Sequence, residues 1–297
     1  MLPRVSNASS AIQRRKKCFK WSRLEGIPVP VFKEIRCKSV LSRSQISGVD
    51  YSINPYVGCA HGCVYCYARF MGSRTGHTED WGEFVDIKVN APQVLSRELA
   101  RSKRGNVLLS SVTDPYQPLE GRYELTRKML KHLLDCEYPV SILTKSALVE
   151  RDIDLLRRFA QCQVGATVVA LNEEVRRAFE PLSSPSRERL SALRKLGENG
   201  IQTYLFLGPI LPGFSEEDLE EILDECERIG IDHMLIDRLN IKYGNWSSIA
   251  RVMDTQFPER KDEWEKALLF QSGYFERVKQ KVMTMANERK IRLVSCY

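Results

Sequence analysis

The sequence predicts an α/β fold built on a parallel sheet, and three observations carry that expectation. Short β-branched or apolar runs recur at 51–57, 106–111, 139–144, 163–170, 201–208 and 231–236. Helix-like stretches lie between several of them, at 92–103, 122–136, 150–160, 172–179, 186–198 and 215–229. No glycine-rich dinucleotide fingerprint follows the first run, which weakens a Rossmann-type sheet. Strands alternating with helices imply right-handed crossovers. That rhythm fits a flat doubly wound sheet and a barrel-like sheet equally.

In chain order, residues 1–48 read as an N-terminal extension. Its segment 14–23, Arg-Arg-Lys-Lys-Cys-Phe-Lys-Trp-Ser-Arg, holds six cations and no acid, so most of the net charge of +7 is concentrated there. Pro28 and Pro30 bias 27–32 toward an extended conformation. The strand–helix body runs from 49 to 240. Its helix 215–229 has Ser215 as the expected N-cap, with Glu216, Glu217 and Asp218 in the first turn. Residues 241–297 form a C-terminal helical extension: a loop at Tyr243-Gly-Asn-Trp246, polar helical sequence, and a strand-like 291–296.

Hydrophobic residues make up 43 % of the chain, enough to bury a sizeable core. No apolar run approaches the roughly 20 residues that span a bilayer, and the N-terminus lacks a secretory h-region. The expectation is a cytoplasmic protein that does not enter a membrane. In a reducing compartment, clustered cysteines point to metal binding or catalysis. Of nine cysteines, Cys18, Cys37, Cys136, Cys162, Cys226 and Cys296 are scattered and read mostly as small apolar residues. Cys59, Cys63 and Cys66 fall within eight residues.

The segment Asn54-Pro-Tyr-Val-Gly-Cys59-Ala-His-Gly-Cys63-Val-Tyr-Cys66-Tyr-Ala-Arg69 is the densest chemical signal. Iron–sulfur clusters are held by thiolates, and three thiolates leave one iron of a four-iron cube open to a ligand. Zinc is the alternative, with His61 or His77 as fourth ligand. A structural zinc site usually brings two separated ligand pairs, and no second pair is present.

Cys-x3-Cys-x2-Cys with an aromatic before the last cysteine resembles the signature of the radical S-adenosylmethionine superfamily. The fuller Gly-Cys-x-His-Gly-Cys-x-Tyr-Cys-Tyr-Ala-Arg is similar to the DNA repair photolyase-like branch, related to spore photoproduct lyase. The resemblance extends over about 48–240. It implies a partial (β/α)6 TIM-like barrel, a 4Fe-4S cluster on Cys59, Cys63 and Cys66, and a reducing electron donor. It also implies reductive cleavage of S-adenosyl-L-methionine to a radical that abstracts hydrogen.

Barrel enzymes place their sites at the C-terminal ends of strands. A zwitterionic aminoacyl group needs an anion and a cation, which Asp114 and Lys145 could supply, with Thr113 and Ser146 orienting it. By resemblance, Thr113 and Asp114 fall where the lyases carry a Ser-Asp pair, and Lys145 where they carry a strand-end lysine. Gly208, Ile210 and Gly213 approximate the adenine-side motif, one residue long in spacing. Glu180-Pro181 and Arg189 resemble a recurrent segment of the branch, although Arg189 on a helix face equally suits a solvated pair. Tyr65 and Tyr67 match the lyase tyrosines flanking the last cysteine and are the candidate hydrogen relays. Ser111 occupies the place of the cysteine that returns hydrogen in the lyase.

Three functions compete. One is a radical enzyme acting on nucleic acid, with arm 14–23 neutralising phosphates and Phe19 and Trp21 stacking on bases. Another is the same chemistry on a protein or small metabolite. The third is a non-catalytic zinc-binding α/β module.

Overall fold

Alternation along the strands sets the architecture. The computed structural model describes residues 30–242, 244–269 and 273–297; the basic arm 14–23 and Cys18 lie outside them. Its strands, in chain order, are β1 (Val31–Ile35), β2 (Leu41–Arg43), β3 (Tyr51–Ile53), β4 (Tyr56–Val57), β5 (Phe84–Lys88), β6 (Val107–Leu109), β7 (Val140–Thr144), β8 (Cys162–Thr167), β9 (Gln202–Ile210), β10 (His233–Arg238) and β11 (Leu293–Ser295). In β7, Val140, Ile142 and Thr144 are buried while Ser141 and Leu143 are half-exposed. In β10, Met234 and Ile236 are buried while His233, Leu235 and Asp237 are half-exposed. Period-two burial of this kind puts one face against helices and leaves the other lining an open interior.

The main sheet has the order β11-β10-β9-β8-β7-β6-β3-β2. Six strands, β3 and β6 through β10, are parallel and wind in one direction. A doubly wound sheet would reverse its order partway, so the sequential order makes this a partial (β/α)6 barrel. It does not close. Antiparallel β2 ends the sheet at one side and parallel β11 at the other.

The outer face packs on helices Ala91–Leu99, Leu125–Asp135, Ser186–Glu198 and Leu219–Ile229. Leu95, Leu130, Ile142, Leu193, Leu205, Ile222 and Met234 share that core, and all are at most 1 % exposed. Truncating one of these leucines to alanine should cost about 2–5 kcal/mol.

Several local expectations are corrected. Within the expected N-terminal extension 1–48, β1 pairs with β5 and β2 with β3. The expected helix 150–160 shortens to a 3-10 turn Ala147–Asp152 and one turn Ile153–Leu156. The 122–136 stretch breaks at Glu124, which takes φ 51°. Ser215 is not an N-cap. It sits inside the turn Phe214–Glu217, where its hydroxyl donates to Val169 O at 2.6 Å and accepts from Leu211 N at 2.9 Å. Glu216 and Glu217 lie in that same turn, a separate helix begins at Leu219, and the Asp218 carboxylate accepts from the backbone of Leu171 and Asn172. Of the expected loop Tyr243-Gly-Asn-Trp246, Tyr243 lies outside the described residues, and a helix begins at Asn245.

Within 241–297, helices Asn245–Gln256 and Lys261–Leu269 cap the barrel. Trp264 stacks on Phe179 at 5.2 Å, with Phe214 and Phe257 alongside. Cys63 and Tyr65 belong to the same apolar cluster. The C-terminal helices therefore form a wall of the cysteine loop.

Candidate active site

The cysteine loop connects β4 to the 3-10 turn Tyr67–Arg69 with little regular structure of its own, so side chains from elsewhere fix it. Gly58 opens it at φ +79°, and a Cβ there would lie 2.3 Å from Phe84 O. Only glycine satisfies both conditions. The Ala60 N–H donates to Gln117 Oε1 at 2.9 Å, and the Thr113 hydroxyl donates to Gly58 O at 2.6 Å. Gln117 Nε2 closes the link on Thr113 Oγ1 at 3.1 Å. On the far side, Val64 N donates to Phe179 O, and Asn245 Nδ2 to Tyr65 O at 3.0 Å. Thr113 thus braces the loop.

Cys59 and Cys63 are buried and Cys66 half-buried. Burial, with Cys59 beside it, pushes the Cys66 thiol up to about 11. Cys63 rises well above its usual range from burial, against the opposing charge of Lys145. A bound metal would reverse this, because its positive charge favours the thiolate. Among the described residues, no three Cys, His, Asp or Glu side chains are close enough to share one ion. A single zinc needs its donors within about 2.3 Å of one point. A four-iron cube takes each thiolate on a different iron and accepts wider spacing. His77, a proposed zinc ligand, is already engaged by Glu79 at 3.1 Å and Asp86 at 3.2 Å. Three thiolates on one loop are the donors a four-iron cluster would take, and of the two histidines expected for zinc His61 lies against Cys59.

Asp114 is saturated by the chain itself. Oδ1 accepts from Tyr116 N at 2.8 Å and Thr144 Oγ1 at 2.7 Å, and Oδ2 from Lys145 N at 2.8 Å. His61 Nδ1 faces Oδ2 at 3.5 Å without a hydrogen bond of its own. Burial alone would raise the Asp114 carboxyl, but His61 and these bonds outweigh it and hold it at about 2. Burial likewise opposes charge on His61, yet Asp114 and Cys59 raise the imidazole to about 9. Asp114 therefore ties the ends of β6 and β7 to the cysteine loop.

Lys145 is different. It is half-buried on the inner face, and its ammonium makes no hydrogen bond or ion pair among the described residues. Burial opposes its charge, but Cys63 and Glu180 more than compensate, so it stays protonated. Two buried hydroxyls on the neighbouring strand ends also lack partners: Ser110 Oγ after β6, and Thr167 Oγ1 ending β8. Ser110 additionally holds φ 69°, a conformation uncommon outside glycine. Such orphaned groups are rare in native proteins and call for an explanation. Together with Lys145 they form a polar shell that suits a cofactor carboxylate or hydroxyl.

The remaining expected residues divide. The Ser146 hydroxyl accepts from Leu148 N at 3.3 Å, capping the turn that follows. Gly208 lies in β9, where a Cβ would meet the Phe206 ring at 2.2 Å. The Ile210 side chain is fully buried in the outer core, so only its backbone can face a ligand. Tyr67 is 49 % exposed at the mouth, and its phenol donates to Ser111 O. Tyr65 is buried, its phenol donating to Glu180. Arg189 is not solvated: it is fully buried and pairs with Glu180 at 2.5 Å. Gln117 and Thr167 were missed from sequence, since neither belongs to a spacing pattern; Asn54 and Glu180 were noted there only as parts of longer segments, with no role at the site.

The Radical SAM superfamily model matches residues 53–226. The chain belongs to this superfamily and is an enzyme of the radical SAM class. An uncharacterized protein of Methanocaldococcus jannaschii is 38 % identical over 226 residues, covering 76 % of this chain and 83 % of that protein. A radical SAM Nα-GlyT isomerase of Pseudomonas phage M6 is 24 % identical, covering 69 % of this chain and 43 % of its own length. Among solved structures, a spore photoproduct lyase variant superposes with a TM-score of 0.64 at 17 % identity, covering 90 % of this chain and 82 % of that one. A second, bound to AdoMet and dinucleoside spore photoproduct, gives 0.62 at 15 % identity, covering 89 % and 81 %. These structures share the fold.

Proposed function

We propose that Cys59, Cys63 and Cys66 hold a 4Fe-4S cluster, that S-adenosylmethionine binds beside it, and that the enzyme abstracts hydrogen from nucleic acid. The observation that carries this reading is that Lys145, whose ammonium makes no hydrogen bond or ion pair among the described residues, lies beside Cys63, with the unbonded Ser110 and Thr167 hydroxyls on the neighbouring strand ends. When bound and reduced by an electron donor, the cluster and cofactor supply a 5′-deoxyadenosyl radical.

The chain's own residues do the rest. Lys145 takes the cofactor carboxylate and the Thr167 hydroxyl donates to it. Asp114 sets the backbone from which Lys145 projects. Gly208 leaves the space against Phe206 that a side chain would fill. Tyr67, half-exposed and resting on Ser111 O, is positioned as a hydrogen relay at the mouth.

Nucleic acid is supported by the lyase structure bound to a dinucleoside photoproduct and by arm 14–23. The reaction differs from that of the lyase. Ser111 replaces the thiol donor, and a hydroxyl O–H is far too strong to return hydrogen readily to a carbon radical. Clean conversion of spore photoproduct to two thymines would contradict this point.

The test of the substrate class is 5′-deoxyadenosine formation by reduced enzyme, with and without DNA or RNA. Stimulation is expected, and it should weaken when residues 1–24 are deleted. If all six cations of the arm meet phosphates, the log–log salt slope of binding should flatten by about 4 for single strands. Absence of stimulation, with the cluster and cofactor binding intact, would favour a protein or small metabolite.

A further inference from the structure

A fully buried ion pair lies behind the cysteine loop, and the chemistry described so far does not use it. Glu180 and Arg189 are both 0 % exposed. Glu180 Oε2 accepts from Arg189 Nη2 at 2.5 Å and from Ser183 Oγ at 3.3 Å. Arg189 is itself pinned: Nε donates to Ser184 O and Nη1 to Thr167 O, each at 2.7 Å. The second carboxylate oxygen, Oε1, accepts the Tyr65 phenol. Tyr65 lies between two cluster cysteines in sequence, and its ring sits under the Lys145 ammonium, 5.7 Å from Nζ to the centroid. Ser184 N donates to Lys145 O at 3.0 Å, closing the frame.

We propose that Glu180 is a positioning residue: anchored by Arg189, it fixes the Tyr65 phenol and, through Tyr65, both the Cys63–Cys66 turn and the Lys145 head. Burying two charges is expensive, and a pair of apolar residues would often serve stability as well or better. What the pair adds is direction. A carboxylate held from one side by a guanidinium can present its other oxygen at one fixed place, and Tyr65 takes it. Cation–π attraction between Lys145 and the fixed ring then limits where the ammonium points. Glu180 also places a negative charge near Lys145 and Cys63, which offsets the lysine's cation beside the cluster. Tyr65 is, on this account, part of the frame and not the hydrogen relay.

This inference rests on the proposed cluster and cofactor, so the experiment separates the two. Full-length wild type, Tyr65→Phe, Glu180→Gln and the double variant are reconstituted anaerobically. Iron content, midpoint potential, and the change in the reduced cluster's EPR spectrum on titrating S-adenosylmethionine are measured. If wild type takes up no iron, the proposed function fails and not merely this inference. With iron near wild type, each single variant should bind the cofactor about tenfold more weakly, the scale of one charge-assisted hydrogen bond. The double variant should lose no more than the single ones, because both act through one contact. Glu180→Gln should also raise the midpoint potential, since net charge around a cluster tunes it, and a merely structural role would not. Tyr65→Phe should still form 5′-deoxyadenosine at saturating cofactor. Should Glu180→Gln fail to fold, Glu180→Asp and Tyr65→Phe carry the same comparison. Additive losses, or unaltered affinity and spectrum in Tyr65→Phe, would overturn the proposal.

Discussion

The two ends of the parallel sheet offer a contrast in what marks a functional site. At the N-terminal ends of β6, β7 and β8 lies a recess of about 560 Å³, lined by Arg104, Glu137, Tyr138 and Phe159 among others. Three of its polar side chains, Arg104, Glu137 and Tyr138, are engaged within the chain. Arg104 donates to Glu137 O at 2.6 Å and pairs with its carboxylate at 3.3 Å, and the Tyr138 phenol donates to Ser102 O at 3.1 Å. At the opposite ends of the same strands, Ser110 and Thr167 carry buried hydroxyls with no hydrogen bond among the described residues, and the Lys145 ammonium, resting over the Tyr65 ring, makes no hydrogen bond or ion pair among them. Volume points to one end and unmet chemistry to the other. The second is the better guide, because an orphaned buried group costs stability that only a ligand recovers.

The largest effect expected at the upper end is loss of the cluster. Replacing Cys59, Cys63 or Cys66 by Ala should each abolish iron uptake on anaerobic reconstitution, measured as iron per chain. Cys162→Ala and Cys226→Ala should leave it unchanged, since Cys226 is a core residue and Cys162 only packs against that core. Loss of iron in either of those two would require another ligand set and would blur the contrast.

Lys145→Ala comes next. It should weaken cofactor binding roughly 10- to 150-fold, from about 1.5–3 kcal/mol of charge-assisted bonding, while the cluster's visible spectrum stays the same. Unaltered affinity would move the cofactor away from β7.

Thr167→Val sharpens the comparison most, because it should separate stability from function. Removing an orphaned buried hydroxyl should raise the apoprotein's melting temperature by about 2 °C. It should also weaken cofactor binding about fivefold, the scale of one neutral hydrogen bond. A lower melting temperature would show that the hydroxyl has a partner within the protein.

The smallest effect belongs to the lower end. Arg104→Ala breaks an exposed pair and should shift stability by no more than about 0.5 kcal/mol, with cofactor binding unchanged. Impaired cofactor binding there would undo the contrast between the two ends.

Much of this layout was legible in the sequence. The six parallel strands fall within a few residues of their expected places, because each is a short apolar run bounded by turn chemistry. The triad stood out because its spacing is local. The strand Phe84–Lys88 was not legible, since its first four residues are all buried, Asp86 among them, and show no apolar–polar alternation. Ser215 looked like a helix cap because three acids follow it, and only the packed fold shows its hydroxyl spent on Val169 and Leu211. Asp114 and Thr113 read as cofactor ligands because they end a strand; in the structure Thr113 bonds the cysteine loop, while Asp114 accepts from the backbone of Tyr116 and Lys145 and from the Thr144 hydroxyl. Whether a hydroxyl such as Thr167 Oγ1 is satisfied is a tertiary property, and no sequence pattern carries it.

Reducing chemistry at the upper end is the central claim. The direct measurement is 5′-deoxyadenosine released when anaerobically reconstituted protein is reduced in the presence of S-adenosylmethionine. Release from wild type, abolished by Cys63→Ala and sharply reduced by Lys145→Ala at limiting cofactor, is the predicted result. No release from wild-type protein that has bound its full complement of iron, or tight zinc occupancy with no iron uptake, would contradict it.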